Sequence, residues 1–346
     1  LRERPQQRGG VTPAMRFGIG VPTATEGMMY PVPYAGIEDA VRLATEAEAL
    51  GYDSVWGNDH VSTQGYVRRK YDQPPSFFDP LTYLAFVAAV TQRIRLATCV
   101  LVLPFRHPVL VAKQAATLDQ LSGGRFVLGV GVGAYREEFE AMWPKRVLHR
   151  GDYVDESVEA IQLLLRERET SYSGNTVNFD NIESFPKAIQ DPLPILSGGN
   201  SPGARRRAGR FCNGWLPACL TPDEYRIGVA EIAREAELNS RTLDDFERAI
   251  QLVVSVDSTH EAAVSRFESS QVHAHLHSLS SSTLKGKLDA GLEERNLVGT
   301  PEQVREKILH YSDAGVETFA GLLFAVNTVE ETLESMAMFA EEVIGL

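Results

Sequence analysis

Five consecutive residues, Trp56-Gly-Asn-Asp59-His60, bring an indole, a carboxylate and an imidazole to one point of the chain. An imidazole changes charge near neutral pH, and a neighbouring carboxylate can hold or pass a proton. Asp59 and His60 are therefore candidate proton-handling groups. The plainer alternative gives Trp56 to core packing and Asp59 to a loop cap. Gly198-Gly199-Asn200-Ser201 follows an apolar run, Leu193 to Leu196, and leads into a helical stretch at Pro202. Backbone amides in such a turn can approach an anion, and the positive end of the next helix favours it. This makes the turn a candidate phosphate site, with Ser201 as an ordinary helix cap the alternative. Gly129-Val-Gly131-Val-Gly133 has GxGxG spacing and continues with Ala134-Tyr135. That is not the dinucleotide fingerprint GxGxxG. It suits a strand end, around Gly131, that a planar ligand can approach.

Other candidates carry less. His107 precedes Pro108 in a loop that opens a helix. His273, His275 and His277 recur every second residue, but with no nearby cysteine and few acidic partners a metal site is disfavoured. Arg205-Arg206-Arg207 could reach a phosphate or form a solvated face. GxSxG, HExxH and Walker A sequences are absent, which removes the carriers of nucleophilic, zinc-peptidase and nucleotide-cleaving chemistry.

The elements that must position these groups alternate short apolar strands with amphipathic helices. Strands are expected at Arg16 to Val21, Asp53 to Gly57, Ile94 to Val102 and Phe126 to Val130. Four more are expected at Leu193 to Leu196, Gly214 to Pro217, Ala249 to Val256 and Thr318 to Phe324. Asp79-Pro80 has the composition of an N-cap followed by proline at the first helical position. Eight strand–helix units favour a closed (β/α)8 barrel over an open doubly wound sheet. In such a barrel the strand C-termini carry the chemistry. Gly123-Gly124 precedes a strand, so it falls on the opposite face and is expected to end a helix. Gly198-Gly199 follows a strand and falls on the active face. Two stretches break the rhythm, about 167–191 and 257–298, and are taken as insertions.

The chain has 346 residues, suiting one barrel domain over 15–346. Residues 1–14 are expected to be a disordered leader. A net charge of −12 argues against a broad nucleic-acid surface. Three cysteines without CxxC spacing suggest neither disulfides nor zinc, and with no membrane-length apolar run a cytoplasmic location is expected.

Several stretches resemble the luciferase-like family of flavin- and deazaflavin-dependent oxidoreductases and monooxygenases. They are MRFGIGVP, AEALGYDSVWGNDH, TQRIRLATCVLVLPFRHPVLVAKQAATLDQLSGGRFVLGVGVG, HRGDYVDESVEAIQLL, PILSGGNSPGARRRAGRFCNGWLP and LVGTPEQVREKILHYSDAGVE. The resemblance implies a TIM-type barrel, a homodimer, a small-molecule substrate and a non-covalent FMN or 5-deazaflavin (F420). It places a cis non-proline peptide at Cys99–Val100, behind the cofactor ring. The cofactor-binding residues expected are Trp56, Asp59, Cys99, Val100, Gly131, Gly198, Gly199, Asn200 and Ser201, and the catalytic ones His60 and Asp59. The Asp-His pair is more like the deazaflavin branch, whereas many FMN members carry Glu-His-His there. Ala134 stands where some deazaflavin dehydrogenases have a carboxylate, which counts against a sugar-phosphate dehydrogenase. The favoured reading is deazaflavin-dependent hydride transfer. The alternatives are FMN- and O2-dependent monooxygenation and a non-catalytic flavin-binding protein. The stretch at 257–298, where the resemblance fades, would cover the substrate.

Overall fold

Eight short apolar runs become parallel strands that close on themselves. They are β1 Arg16–Val21, β2 Ser54–Gly57, β3 Arg95–Thr98, β4 Phe126–Gly131, β5 Ile195–Gly198, β6 Gly214–Leu216, β7 Glu247–Ile250 and β8 Thr318–Phe324. Each pairs with the next, and β8 returns to β1, with Arg16 opposite Thr318 and Phe17 opposite Phe319. This computed structural model describes residues 15–145, 147–281, 283–286 and 291–345. The segment 1–14, expected to be a leader, lies outside the described residues.

Capping chemistry explains where the barrel helices start. Asp79 caps the helix Pro80–Val90 by accepting from the Thr82 amide at 2.9 Å. Ser201, Thr221 and Thr300 do the same before Pro202, Pro222 and Pro301. Proline at the first helical position loses no hydrogen bond, because that amide has no helical partner. Gly123 ends the helix Pro108–Ser122 in the left-handed region, at φ 69°, as its place between a helix and a strand predicts.

The barrel interior is packed, not hollow. Trp56, Ala97, Val127, Leu196, Leu216, Ala249 and Ala320, from seven different strands, form one layer. Burying a Val or Leu side chain contributes about 1.5–3 kcal/mol, so this layer is rigid support for whatever lies above it. The N-terminal end is closed by polar groups instead. Glu247 accepts from Arg95 Nη2 at 2.7 Å and from the Thr318 hydroxyl at 3.0 Å. Burial works against a charged Glu247, but the bonds from Arg95 prevail and hold its carboxyl below the usual range.

Two strands are shorter than the apolar pattern predicts. The run Ile94 to Val102 breaks after Thr98 and resumes as Leu101–Val102, with the bond Cys99–Val100 cis between them. The run Ala249 to Val256 splits at Gln251, which bridges to Ala218. Its second half, Val253–Val256, pairs with Leu297–Gly299 as well as with β8. Hydrophobicity cannot distinguish these cases, since both halves are buried. The stretch 167–191 contains an antiparallel hairpin, Thr170–Ser173 with Asn178–Ile182. Within 257–298 lie two helices, His260–Ser269 and Gln271–Ser278. Among the described residues, no helix is long and apolar enough to cross a membrane.

Candidate active site

Trp56, Asp59 and His60 are neighbours in sequence but serve three different places. The Trp56 ring points down into the barrel layer, 2% exposed, and its N–H donates to Ser54 Oγ at 2.8 Å. A side chain on Gly18 would strike this ring, its Cβ falling 2.5 Å from the indole nitrogen. Asp59 turns sideways. Its carboxylate accepts from the Val102 amide at 2.9 Å and from both terminal nitrogens of Arg106. Arg106 also reaches Asp79 at 2.8 Å. Asp59 is thus committed to tying the loop after β2 to the segment after β3, which differs from the proton-handling use expected of it. The proposed Asp59–His60 pair is not a hydrogen-bonded pair.

His60 points up and finds another carboxylate. Its Nδ1 lies 2.8 Å from Glu138 Oε2. A carboxylate only accepts, so the bond to it needs the hydrogen on Nδ1. The Gln64 amide nitrogen faces the same Nδ1 at 3.0 Å and could donate only to a lone pair there. The shorter, charge-assisted bond to Glu138 outcompetes it and leaves the ring's lone pair at Nε2. Glu138 Oε1 accepts from the amides of Val61 and Ser62 at 3.1 and 3.2 Å. Burial opposes charge on Glu138, but the bonds from His60, Gln64 and the Ser62 backbone win and lower its pKa. Glu138 sits on the short helix Arg136–Met142 after β4. The sequence reading missed it, having looked for a carboxylate at 134, where Ala134 stands. The signal was present four residues later, in Arg136-Glu-Glu, but that pattern is shared by any solvated helix start.

The helix Gln271–Ser278 lies across these loops. Gln271 Nε2 donates to the carbonyls of Gly27 and Met28 at 3.0 and 3.1 Å. His275 Nδ1 is 3.2 Å from the Tyr66 hydroxyl and 3.4 Å from that of Tyr135. His275 is 4% exposed. Burial, followed by the nearby His60, pushes its pKa down to about 3, so the imidazole is neutral. Its Nδ1 can accept from one of these hydroxyls or donate to it. His273 and His277 stack edge to face on the other side of the helix. Among the described residues, no group of three or more His, Cys, Asp or Glu could hold a metal.

Cys99 and Val100 are half-buried and sit on the barrel layer. The thiol is a poor nucleophile, because burial pushes it up to about 12. Glycines flank Val100 on both sides. A Cβ on Gly131 would fall 2.7 Å from Val100 Cγ2, and one on Gly198 only 2.3 Å from Cγ1. Only glycine fits either place. Gly199 follows at φ 110°. Its amide donates to Leu216 at 3.0 Å, so it is engaged within the barrel. The Asn200 amide group is tied to Ala218 and to the Thr283 carbonyl. Ser201 caps Pro202–Arg210. Arg207 is paired with Asp155 at 2.6 Å, and Arg205 donates to the Asn200 carbonyl, so both brace the turn rather than reach out from it. His107 caps Pro108–Ser122.

A packed TIM barrel with a half-exposed cis peptide, flanked by glycines and covered by a helix, is the arrangement now in hand. A family profile described as luciferase-like monooxygenase matches residues 15–318. The chain belongs to that family. An F420-dependent glucose-6-phosphate dehydrogenase of Nakamurella multipartita is 32% identical over 234 residues, spanning 66% of this chain and 67% of its own. An FMNH2-dependent dimethylsulfone monooxygenase of Pseudomonas fluorescens is 26% identical over 344 residues, 92% of each chain. An F420-dependent secondary alcohol dehydrogenase, solved with an F420–acetone adduct, shares the fold. It gives a TM-score of 0.75, with 18% identity over 96% of this chain and 99% of the other. Luciferase-like enzymes with either cofactor type are therefore relatives of this one.

Proposed function

We propose that this luciferase-like enzyme binds deazaflavin (F420) against Cys99–Val100 and transfers a hydride to or from a carbon of a small organic substrate. Several features support a planar cofactor there. The floor is rigid, because Trp56 and the barrel layer fill the space beneath it. Gly131 and Gly198 keep both flanks of Val100 clear. Trp56 thus supports the floor from below, and Asp59 fixes its edge through the Val102 amide. The turn at Gly198, Gly199, Asn200 and Ser201 would hold a phosphate through amides beyond Gly199 and the helix N-terminus. When bound, the cofactor supplies a carbon that accepts or returns a hydride.

The observation that carries this reading is the His60–Glu138 pair at 2.8 Å. Moving a hydride to or from a C–O carbon changes the charge on that oxygen, and a proton must follow. Glu138 holds the ring with its lone pair at Nε2, so His60 can take a hydroxyl proton or, once protonated, return it. Titration of the purified protein with F420 and with FMN tests the reading. Binding of F420 at micromolar affinity or better supports it, and binding of neither sinks it.

A second reading keeps the site and replaces F420 with reduced FMN and O2. It is supported by the Pseudomonas fluorescens relative, which matches along 92% of this chain. Tight binding of FMN with no binding of F420 would favour it.

We also infer a homodimer. The outer faces of Pro80–Val90 and Pro108–Ser122 carry Phe86 and Val90 beside Leu110 and Leu121, with 53%, 42%, 62% and 62% of each exposed. The other exposed residues of these helices, Thr82, Ala89, Gln114, Thr117 and Gln120, are uncharged. Contiguous apolar surface of this kind suits a second copy better than water.

A further inference from the structure

Between the helix Gln271–Ser278 and the ends of β6 to β8 lies a small cavity of about 30 Å³. Its walls are apolar: Met29 from the loop after β1, Leu323 from β8, and Leu276, Leu279 and Leu284 from the covering segment. Polar groups enter at few points, chiefly Gln251 and His275. Among the described residues that line it, none is charged. The two titratable ones are both neutral: burial pushes Cys219 up to about 12 and His275 down to about 3. Gln251 also touches the cofactor floor. A Cβ on Gly321 would lie 3.1 Å from Gln251 Nε2 and 3.5 Å from Cys99 Sγ, so amide and thiol share one corner. The cavity therefore opens beside the place where a reacting carbon would meet the cofactor.

Charge decides what fits. A phosphate dianion taken out of water costs several kcal/mol or more unless cations meet it. The cations around it are already used. Arg295 donates to the carbonyl of the lining residue Cys219 but is paired with Glu224. Arg106 is held by Asp59 and Asp79, and Arg150 by the carbonyls of Val132 and Gly133. An uncharged oxygen is a better match, because Gln251 offers an amide, one N–H of which already donates to the Gly321 carbonyl at 3.2 Å, and His275 offers a neutral ring. The cavity holds only a water or two with the helix seated. A larger ligand would have to enlarge it by raising that helix, which would set the lining residues Leu276 and Leu279 against its body.

We propose that the substrate is an uncharged, mainly apolar molecule with one carbonyl or hydroxyl oxygen, gripped by Gln251 and His275, and not a sugar phosphate. This rests on the placement of the cofactor at Cys99–Val100. It separates the chain from its relative named as a glucose-6-phosphate dehydrogenase, despite 32% identity.

The test uses cyclohexanone, 2-heptanone and glucose 6-phosphate as probes. Saturation-transfer NMR reads their binding without any cofactor signal, so it is run with and without F420 and FMN. Cofactor affinity is measured separately, so a failed cofactor titration overturns the previous section while the probe series still judges the cavity. The expected result is saturable transfer to a ketone, with glucose 6-phosphate at least tenfold weaker. Gln251→Leu should raise the ketone Kd by roughly tenfold, a loss typical of one buried hydrogen bond. Glucose 6-phosphate binding as tightly as the ketones, no binding of either ketone, or a ketone Kd untouched by Gln251→Leu each overturns the proposal.

Discussion

The barrel mouth has two halves of opposite character. Over β2 and β4 it is polar: His60 is hydrogen-bonded to Glu138 with Gln64 beside them, and Tyr66 is bonded to Tyr135. Over β6 to β8 it is apolar, with leucines and Met29 around two polar contacts. Cys99–Val100 lies between them. The halves belong to different loops, so proton handling and substrate fit can be broken separately. His275 is the exception, since it lines the apolar cavity while bonding to the tyrosines of the polar half.

The largest effect should fall on the polar half. His60→Ala should lower turnover roughly 10²–10⁴-fold, the usual share of a general acid–base group, while cofactor affinity stays within a few-fold. Steady-state rates and a cofactor titration on the same preparation check this, and equal rates would return His60 to a structural role. Glu138→Gln should cost turnover too, because an amide no longer dictates which ring nitrogen carries the proton.

Next in size is the boundary between the halves. Gly198→Asp sets a side chain against Val100 and a negative charge beside the expected phosphate. Cofactor affinity should fall at least about tenfold. Thermal unfolding of the variant controls for general damage, and unchanged affinity would remove this turn from the site.

A smaller effect concerns the covering helix. With the helix raised, His275 should take a proton near the ordinary 6.5; buried, it resists protonation down to about 3. Seating is therefore fully supported above about 6.5 and loses support as pH falls from there toward 3. Amide exchange over 271–278 should be severalfold faster at about pH 5 than at about pH 8, after correction for intrinsic rates. The difference should shrink in His275→Leu, and its persistence there would assign the effect to another group. The mildest test lies outside the mouth: Phe86→Glu should shift a dimer toward monomer in sedimentation velocity, with little change in cofactor binding.

These contrasts show what the sequence could and could not convey. The barrel was legible because strand and helix leave different periodicities, and because caps such as Asp79-Pro80 are local. The floor was legible only through resemblance, since nothing in Thr98-Cys99-Val100 marks a cis bond by composition. The tie from Asp59 to Arg106 was not legible, because Arg106 lies 47 positions away and an ion pair between two loops leaves no spacing signal. Glu138 was invisible for a similar reason, being 78 positions from His60 and next to Glu137, which accepts from the Gly65 amide. His275 was half legible. On a helix, residues at i and i+4 share a face while i+2 points away, so 275 was bound to part company with 273 and 277.

The central claim is that Glu138 orients His60 as the proton-handling group. Nitrogen-15 NMR of the His60 ring, in the wild type and in Glu138→Gln, tests it most directly. The account predicts a proton on Nδ1 in the wild type, with Nε2 unprotonated when the ring is neutral, and a changed tautomer balance in the variant. A neutral ring carrying its proton on Nε2 in the wild type, or an identical pattern in both proteins, would contradict it.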